Sequence, residues 1–257
     1  MSWASRRRSF YLLGLVAFLV IAVVVPLVVH FYKPPSCSDG IQNQGETAPD
    51  KSGPCILLDE RALAPVSVLW ARSFEVRPGS YSAVAYIENS NKNAGVRSVG
   101  YRFGLYDSQN LLVSERTGTT FIMPNSVTPV FEANIDAGNR TVAHTYLEFT
   151  EPRVWERMKN PAASITITNR EVASEGSGAR ATATIENTSI STLSNALFVV
   201  VVFDPEGTAH AASMTSVGRL PPDAKQQIVF TWPDPFRARV GRVDMLALMD
   251  PVIDAVK

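Results

Sequence analysis

Hydrophobic positions along this chain fall into two regimes. From Phe10 to Tyr32 they are continuous: FYLLGLVAFLVIAVVVPLVVHFY holds no Asp, Glu, Lys or Arg. A bilayer core of about 30 Å takes roughly 20 apolar residues as helix. A helix in lipid satisfies its own backbone polar groups, so the run predicts a membrane-spanning helix despite its many Val and Ile. After about residue 60 the hydrophobics alternate instead. Val99, Tyr101, Phe103 and Leu105 interleave with Gly100, Arg102, Gly104 and Tyr106. Ala83, Ala85 and Ile87 show the same period of two, as do Ala181, Ala183 and Ile185, and Ile165 and Ile167. That period predicts half-buried strands.

The flanks of the apolar run orient it. Arg6, Arg7 and Arg8 precede it, and Lys33 alone follows directly. The positive-inside bias then puts residues 1–9 in the cytoplasm, residues 10–32 in the membrane and the rest outside the cell membrane. Trp3, Phe10, Tyr11, Phe31 and Tyr32 bracket the run as interfacial aromatics. A cleaved signal peptide is the alternative, but its apolar region spans about 7–15 residues and ends at a small-x-small site. Here the run is longer, and Val-His-Phe-Tyr-Lys-Pro-Pro closes it. Pro26 removes one backbone bond near the outer end, which membrane helices tolerate.

The β-rich region carries an internal echo. AVAYIEN at 83–89 returns as ATATIEN at 181–187, 98 residues on. Leu105-Tyr106-Asp107 corresponds to Val202-Phe203-Asp204, and Pro124 to Pro221, each 97 residues on. Residues 146–149 fall near 244–247. Ordered landmarks at one offset point to a duplicated unit. Each copy has room for about seven short strands in about 90 residues, the size of an immunoglobulin-like sandwich, without the Cys–Trp–Cys pattern of antibody domains. The fold class expected is therefore mainly β: two tandem immunoglobulin-like sandwiches, residues 60–152 and 160–257, behind one transmembrane helix. The junction lies between Pro152 and Pro161, with WERMKN as a single helical turn. Asp107-Ser108-Gln109-Asn110 and Asp204-Pro205-Glu206-Gly207 read as hairpin turns.

One strand departs from simple alternation. LFVVVVF at 197–203 is apolar on both faces, whereas its counterpart shows Gly100, Arg102 and Gly104 on one side. Such a strand needs cover on both sides. Either the chain itself supplies it, or Leu197, Val199 and Val201 form an interaction surface for a protein partner in the envelope.

Residues 33–59 form a linker of different character. Pro34-Pro35 ends the helix. CSDGIQNQGETAPDKSGPC then runs from Cys37 to Cys55, polar and without period. Two Cys outside the cytoplasm can oxidise, and closing this loop removes about 3 kcal/mol of unfolded-chain entropy. Free thiols or pairing between chains are the alternatives. Asp39, Asn43, Glu46 and Asp50 offer hard oxygens to Ca²⁺, but their spacing is not that of an EF-hand, and solvated turns use the same residues.

Two resemblances follow. Cys37, Asp39, Gly40, Asn43, Glu46, Asp50, Gly53 and Cys55 resemble a cysteine motif, C-x-D-G-x-x-N-x-x-E-x-x-x-D-C-G-G-x-C, of predicted bacterial surface proteins. Lys51-Ser52 stands where that pattern has Cys-Gly, leaving an even pair. The resemblance implies an exported, anchored protein and no activity. Phe103-Gly104-Leu105-Tyr106-Asp107 spells the F-x-L-Y-D signature and resembles the sandwich domains named for it, in which an Asn turn precedes the signature strand, as Asn89 and Asn187 do here. The second copy is degenerate, with Val200-Val201-Val202-Phe203-Asp204. This resemblance implies a sandwich fold in the cell envelope and no catalysis.

Candidate chemistry is sparse. With 24 Lys and Arg against 24 Asp and Glu, the formal net charge is zero, so broad attraction to nucleic acid or anionic lipid is not expected. Two Cys and three His are too few for a closed structural zinc site. No phosphate-binding glycine loop, H-E-x-x-H, G-x-S-x-G or C-x-x-C occurs. His144 and His210 are not tied together by sequence. Glu88 and Glu186 recur at equivalent places and would act as an acid–base pair only across a shared cleft. Tyr81, Tyr86, Trp155 and Trp232 read as core or as sugar-stacking aromatics. Asn139-Arg140-Thr141 and Asn187-Thr188-Ser189 fit the N-glycosylation pattern. The expectation is a non-enzymatic, membrane-anchored, extracytoplasmic structural or interaction protein without cofactor. An accessory subunit of an envelope assembly, secretion or sensing complex is the first alternative, supported by Gly14 and Ala17 three apart on the helix. A hydrolase with a scattered site is the second.

Overall fold

The structure is a computed structural model that describes residues 3–31, 35–176 and 178–254. Tyr32, Lys33 and Pro34, which close the anchor in the sequence reading, lie outside the described residues. The apolar run is one rod. Helix α1 (Trp3–Leu19) passes through a π segment (Val20–Val24) into α2 (Val25–Phe31). The widened turn stands just ahead of Pro26, where the Val25 N–H reaches back to the Val20 carbonyl. That is how a membrane helix absorbs a proline that cannot donate. Residues 6–31 form a helix of 26 residues, long and apolar enough to cross a membrane. None of its apolar window is covered by the rest of the chain. Phe10, Leu13 and Ile21 each expose more than two thirds of their surface, an apolar surface of the kind that a bilayer could cover.

The remainder is mainly β, in several sheets. In the first half, β1 (Ser67–Arg77), β2 (Ser80–Asn89) and β5 (Ser126–Asp136) form one antiparallel sheet in the order β1-β2-β5. Opposite it, β3 (Ala94–Tyr106) pairs on one edge with β4 (Leu112–Ile122). Its other edge is shared by β6 (His144–Phe149) and then β7 (Trp155–Lys159). In the second half, β8 (Ile165–Glu175), β9 (Gly178–Asn187) and β12 (Lys225–Trp232) form the order β12-β9-β8. They face β10 (Leu193–Phe203), β11 (Ala209–Leu220) and β13 (Arg242–Leu248), in the order β11-β10-β13. The pairing order of the two halves is the same, strand for strand, up to the last.

The alternation read from sequence sets the core. Tyr81, Ala83, Ala85 and Ile87 of β2 meet Val99, Tyr101, Phe103 and Leu105 of β3 between the first two sheets. In the second half Ala181, Ala183 and Ile185 pack with Phe198, Val200, Ile228 and Phe230. The odd face of β10 is buried as well, Val199 at 1% and Val201 at 0% exposure. It packs on the outer face of the first half's β1-β2-β5 sheet, where Phe74, Val84 and Tyr86 join the same core and Trp70 and Phe131 pack against it. The Trp70 ring lies 4.4 Å from Tyr86 and 6.0 Å from Phe203. Arg72 Nη1 donates to the Ala209 carbonyl at 3.0 Å. One hydrophobic core thus runs from inside the second half through β10 onto the first.

Two boundaries differ from the sequence reading. WERMKN holds strand β7, not a helical turn. Trp155, 3% exposed, joins the first core, and its backbone extends the β3 edge, so tertiary pairing overrides local propensity. At the C-terminus, β14 (Val252–Ile253) leaves the second half and pairs with Met158 and Lys159 of β7. The Lys159–Asp254 ion pair at 2.7 Å closes that contact.

Candidate functional site

The stapled loop comes first along the chain. Cys37 and Cys55 are joined by a disulfide. Its carboxylates turn inward onto backbone N–H groups. Asp39 accepts from Ser36 and Ile41, Asp50 from Asp39 and Gly40, and Glu46 from Asn43 and Asp50. Asn43 Nδ2 donates to Asp39. The four calcium candidates are thereby gathered, but as the loop's internal hydrogen-bonding frame. Glu46, 6% exposed, places Oε1 3.1 Å from Cys55 Sγ, a disulfide sulfur with no proton to donate. Cys37, Glu46 and Cys55 stand close enough to hold a cation, but both sulfurs are spent in the bridge and are not thiolate ligands.

The loop is also docked. Leu58 N–H donates to the Trp155 carbonyl and Arg157 N–H to Ile56. Arg157 Nη2 donates to the Gly53 carbonyl at 2.7 Å. The free edge of β7 is therefore shared between the segment that follows the apolar helix and the C-terminal strand, which meet at Arg157, where the Asp254 N–H also arrives. Covering an edge strand this way removes a template for chance pairing.

The remaining candidates disperse. The proposed partner surface at Leu197, Val199 and Val201 is corrected: Val199 and Val201 are buried and Leu197 is half-buried against the first half, so the cover is internal. Glu88 is exposed, and Glu186 pairs with Lys225 at 3.3 Å. Asp107 accepts from the Gln109 and Leu111 N–H groups. The Leu111 bond and the Arg140 guanidinium hold its carboxyl below the usual range. Asp204 accepts from Thr208 N–H, so both are hairpin residues. Tyr81, Tyr86 and Trp155 are core. The Tyr86 hydroxyl donates to Asp244 at 3.5 Å, and burial, then that carboxylate, raises its pKa and keeps it protonated. Asn187 is fully buried, so its glycosylation pattern is a folding element; Asn139 is exposed.

Sequence reasoning missed a pocket where the halves meet. Phe74 and Glu75 of β1 face His210 of β11, Trp232 at the end of β12, and Asp234, Phe236 and Arg237 beyond it, around a cavity of about 160 Å³. Phe236 stands edge-on to Trp232 at 4.9 Å and to His210 at 5.5 Å. Trp232 Nε1 donates to the Ala212 carbonyl at 3.1 Å, and Arg237 lies 3.6 Å from Glu75. The signal was present in WPDPF: prolines around aromatics just after a strand, too dispersed from Phe74 to be joined without the fold.

Burial pushes the His210 imidazole below its ordinary value near 6.5, and Asp204 opposes this. His210 Nε2 is enclosed and has no hydrogen-bond partner among the described residues. The unfolded chain therefore takes up a proton near pH 6.5 that the folded chain resists. Stability is full above that pH and falls as pH drops toward the lowered folded value. Glu75, Asp234 and Arg237 face the same space and set the background. His210→Gln is expected to flatten this part of the midpoint–pH curve between pH 7 and 5, read by chemical denaturation. An unchanged slope would remove His210 as its source.

No family model matches the chain, and no curated protein sequence is similar to it. Among solved structures it is similar to the crystal structure of red sea bream transglutaminase, at 11% identity and a TM-score of 0.25. That alignment covers 75% of this chain and 32% of the other, so the chain spans about a third of that protein's length. A likeness this slight supports neither a fold assignment nor an activity.

Proposed function

We propose that this chain is a single-pass anchored protein whose β-rich body stands outside the cytoplasm and serves a structural or binding role. The observation that carries the reading is an uncovered apolar helix followed at once by a disulfide-closed loop docked on β7. A disulfide belongs in an oxidising compartment, and Arg6 to Arg8, ahead of the apolar run, favour a cytoplasmic N-terminus. The matching strand order of the halves supports a duplicated immunoglobulin-like unit, and the Phe103–Asp107 signature fits an envelope domain. Asp107, Asp204 and Glu186 are taken up by hairpins and an ion pair, and Asp39, Glu46 and Asp50 by the loop frame, which favours a non-enzymatic role. Ile190, 97% exposed on a turn of the second half, offers a clean test. In spheroplasts making the full chain, Ile190→Cys should react with a membrane-impermeant maleimide before lysis, and Arg6→Cys only after it. The reverse pattern would end the topology and the role built on it.

A further inference from the structure

We propose that the pocket between the halves binds a methylated ammonium group. Its walls are rings set nearly at right angles. Phe236 is inclined 69° to Trp232 and 76° to His210, and Phe74, nearly buried on the first half, lines the other side. The cleft, open on one side, offers about 160 Å³, close to the ~150 Å³ that accommodates a benzene ring, and a trimethylammonium group is of that order. Ring faces attract a cation through their quadrupole, and quaternary ammonium is the ion such cages suit, because it brings charge without N–H groups that need acceptors.

The charge around the pocket has the right sign. Glu75 and Asp234 outnumber Arg237 among the lining side chains. Arg237 is largely in solvent, its side chain 83% exposed, so it can move aside without loss of packing. Glu75 is held at the rim by the Gly79 N–H at 3.4 Å. The His210 wall is neutral at pH 7: an N–H at its enclosed Nε2 meets no acceptor among the described residues, and burial lowers its basicity. A protonated imidazole would repel the ligand; a neutral one presents a ring.

The chemistry is shared by two sources, a choline lipid head group and a small soluble betaine or choline. Both halves contribute walls, so the site exists only in the joined body. It is independent of the membrane topology argued above, because binding can be measured in micelles whichever side the body occupies.

The test uses the full chain in maltoside micelles with radiolabelled choline in equilibrium dialysis. Saturable binding is expected, displaced by tetramethylammonium and not by 3,3-dimethylbutan-1-ol, the uncharged carbon isostere. Phe236→Leu keeps volume and removes a π face, and is expected to weaken binding about tenfold. Glu75→Gln removes charge without shape and is expected to weaken it about threefold. Both variants are to keep the wild-type unfolding midpoint. In nanodiscs, loss of free-choline binding in phosphatidylcholine but not phosphatidylglycerol discs assigns the lipid source; equal binding in both assigns the soluble one. Absence of saturable binding, equal competition by the isostere, or wild-type affinity in folded Phe236→Leu overturns the proposal.

Discussion

Val199→Arg is expected to abolish cooperative folding of the second half, although it installs the very residue type that occupies the equivalent place in the first. Val199 stands 97 residues after Arg102. Both lie on the outer face of the central strand of their sheet. Arg102 is exposed, with Nη2 2.7 Å from Glu148 and Nη1 3.8 Å from Glu115. Val199 is 1% exposed against the first half. A guanidinium there has no carboxylate partner and displaces apolar contacts, at a cost of at least about 3 kcal/mol. That is a large share of the ~5–15 kcal/mol that a domain has.

The converse change, Arg102→Val, is expected to cost less than about 1 kcal/mol, since exposed ion pairs contribute little. Its effect is on association, because it begins an apolar patch beside Tyr106 and Tyr146. Urea denaturation of the full chain followed by circular dichroism checks the first outcome, and light scattering the second. A wild-type midpoint for Val199→Arg would mean that the halves do not pack through this face.

The pair also shows what sequence could reveal. The outer faces are complementary between the two halves. Val84 and Tyr86 in the first correspond to Thr182 and Thr184 in the second. Leu197, Val199 and Val201 in the second correspond to Gly100, Arg102 and Gly104 in the first. The larger apolar member of each pair is at the junction, and its Thr, Gly or Arg counterpart is outside it. Read together, these substitutions state which faces meet. The two-faced β10 strand was legible alone, but its mate on β2 was not, because Val84 and Tyr86 are hidden within an unbroken stretch of buried residues. The span, the strands and the staple were legible because each follows from short-range pattern: continuous hydrophobicity, period two, and two cysteines flanking a turn-rich loop. β7 and β14 were not, because a short strand is fixed by the edge it pairs with, and no local signal names that edge. The pocket was not legible for the same reason: its walls lie far apart in sequence, Phe74 against Phe236.

Asn89 and Asn187 are the residues for which a change of a single atom type is expected to do most damage. Each is buried, at 1% and 0% exposure. Asn89 Nδ2 donates to the carbonyls of Ala94 at 2.7 Å and Met123 at 2.9 Å, and its Oδ1 accepts from the Asn91 N–H at 3.1 Å. Asn187 does the same 98 residues on: Nδ2 to Ser191 at 2.8 Å and Leu220 at 2.9 Å, Oδ1 from Ser189 N–H at 2.9 Å. One side chain thus ties the end of one sheet's central strand to the start of the opposite strand and to a turn beyond it. Replacement by Ala leaves two carbonyls, one N–H and one side-chain donor (Asn91 Nδ2 or Ser189 Oγ) without that partner, each costing about 1–3 kcal/mol where water cannot reach it. A loss of about 3 kcal/mol is expected at either site. Asp is the sharper probe, because it keeps size and shape and the Oδ1 acceptor. It replaces the donating NH₂ by an oxygen facing two carbonyl oxygens, so at pH 7 Asn187→Asp should be less stable than Asn187→Ala. Its carboxyl is then pushed above the ordinary value by burial and by those oxygens. A raised folded pKa means that the folded state holds the proton more tightly, so Asn187→Asp should recover stability as pH falls and lose it as pH rises. Denaturation midpoints of the two variants at pH 7 and pH 5 give the answer. If Asn187→Asp matches the wild type at both, the buried amide is not what holds this corner together.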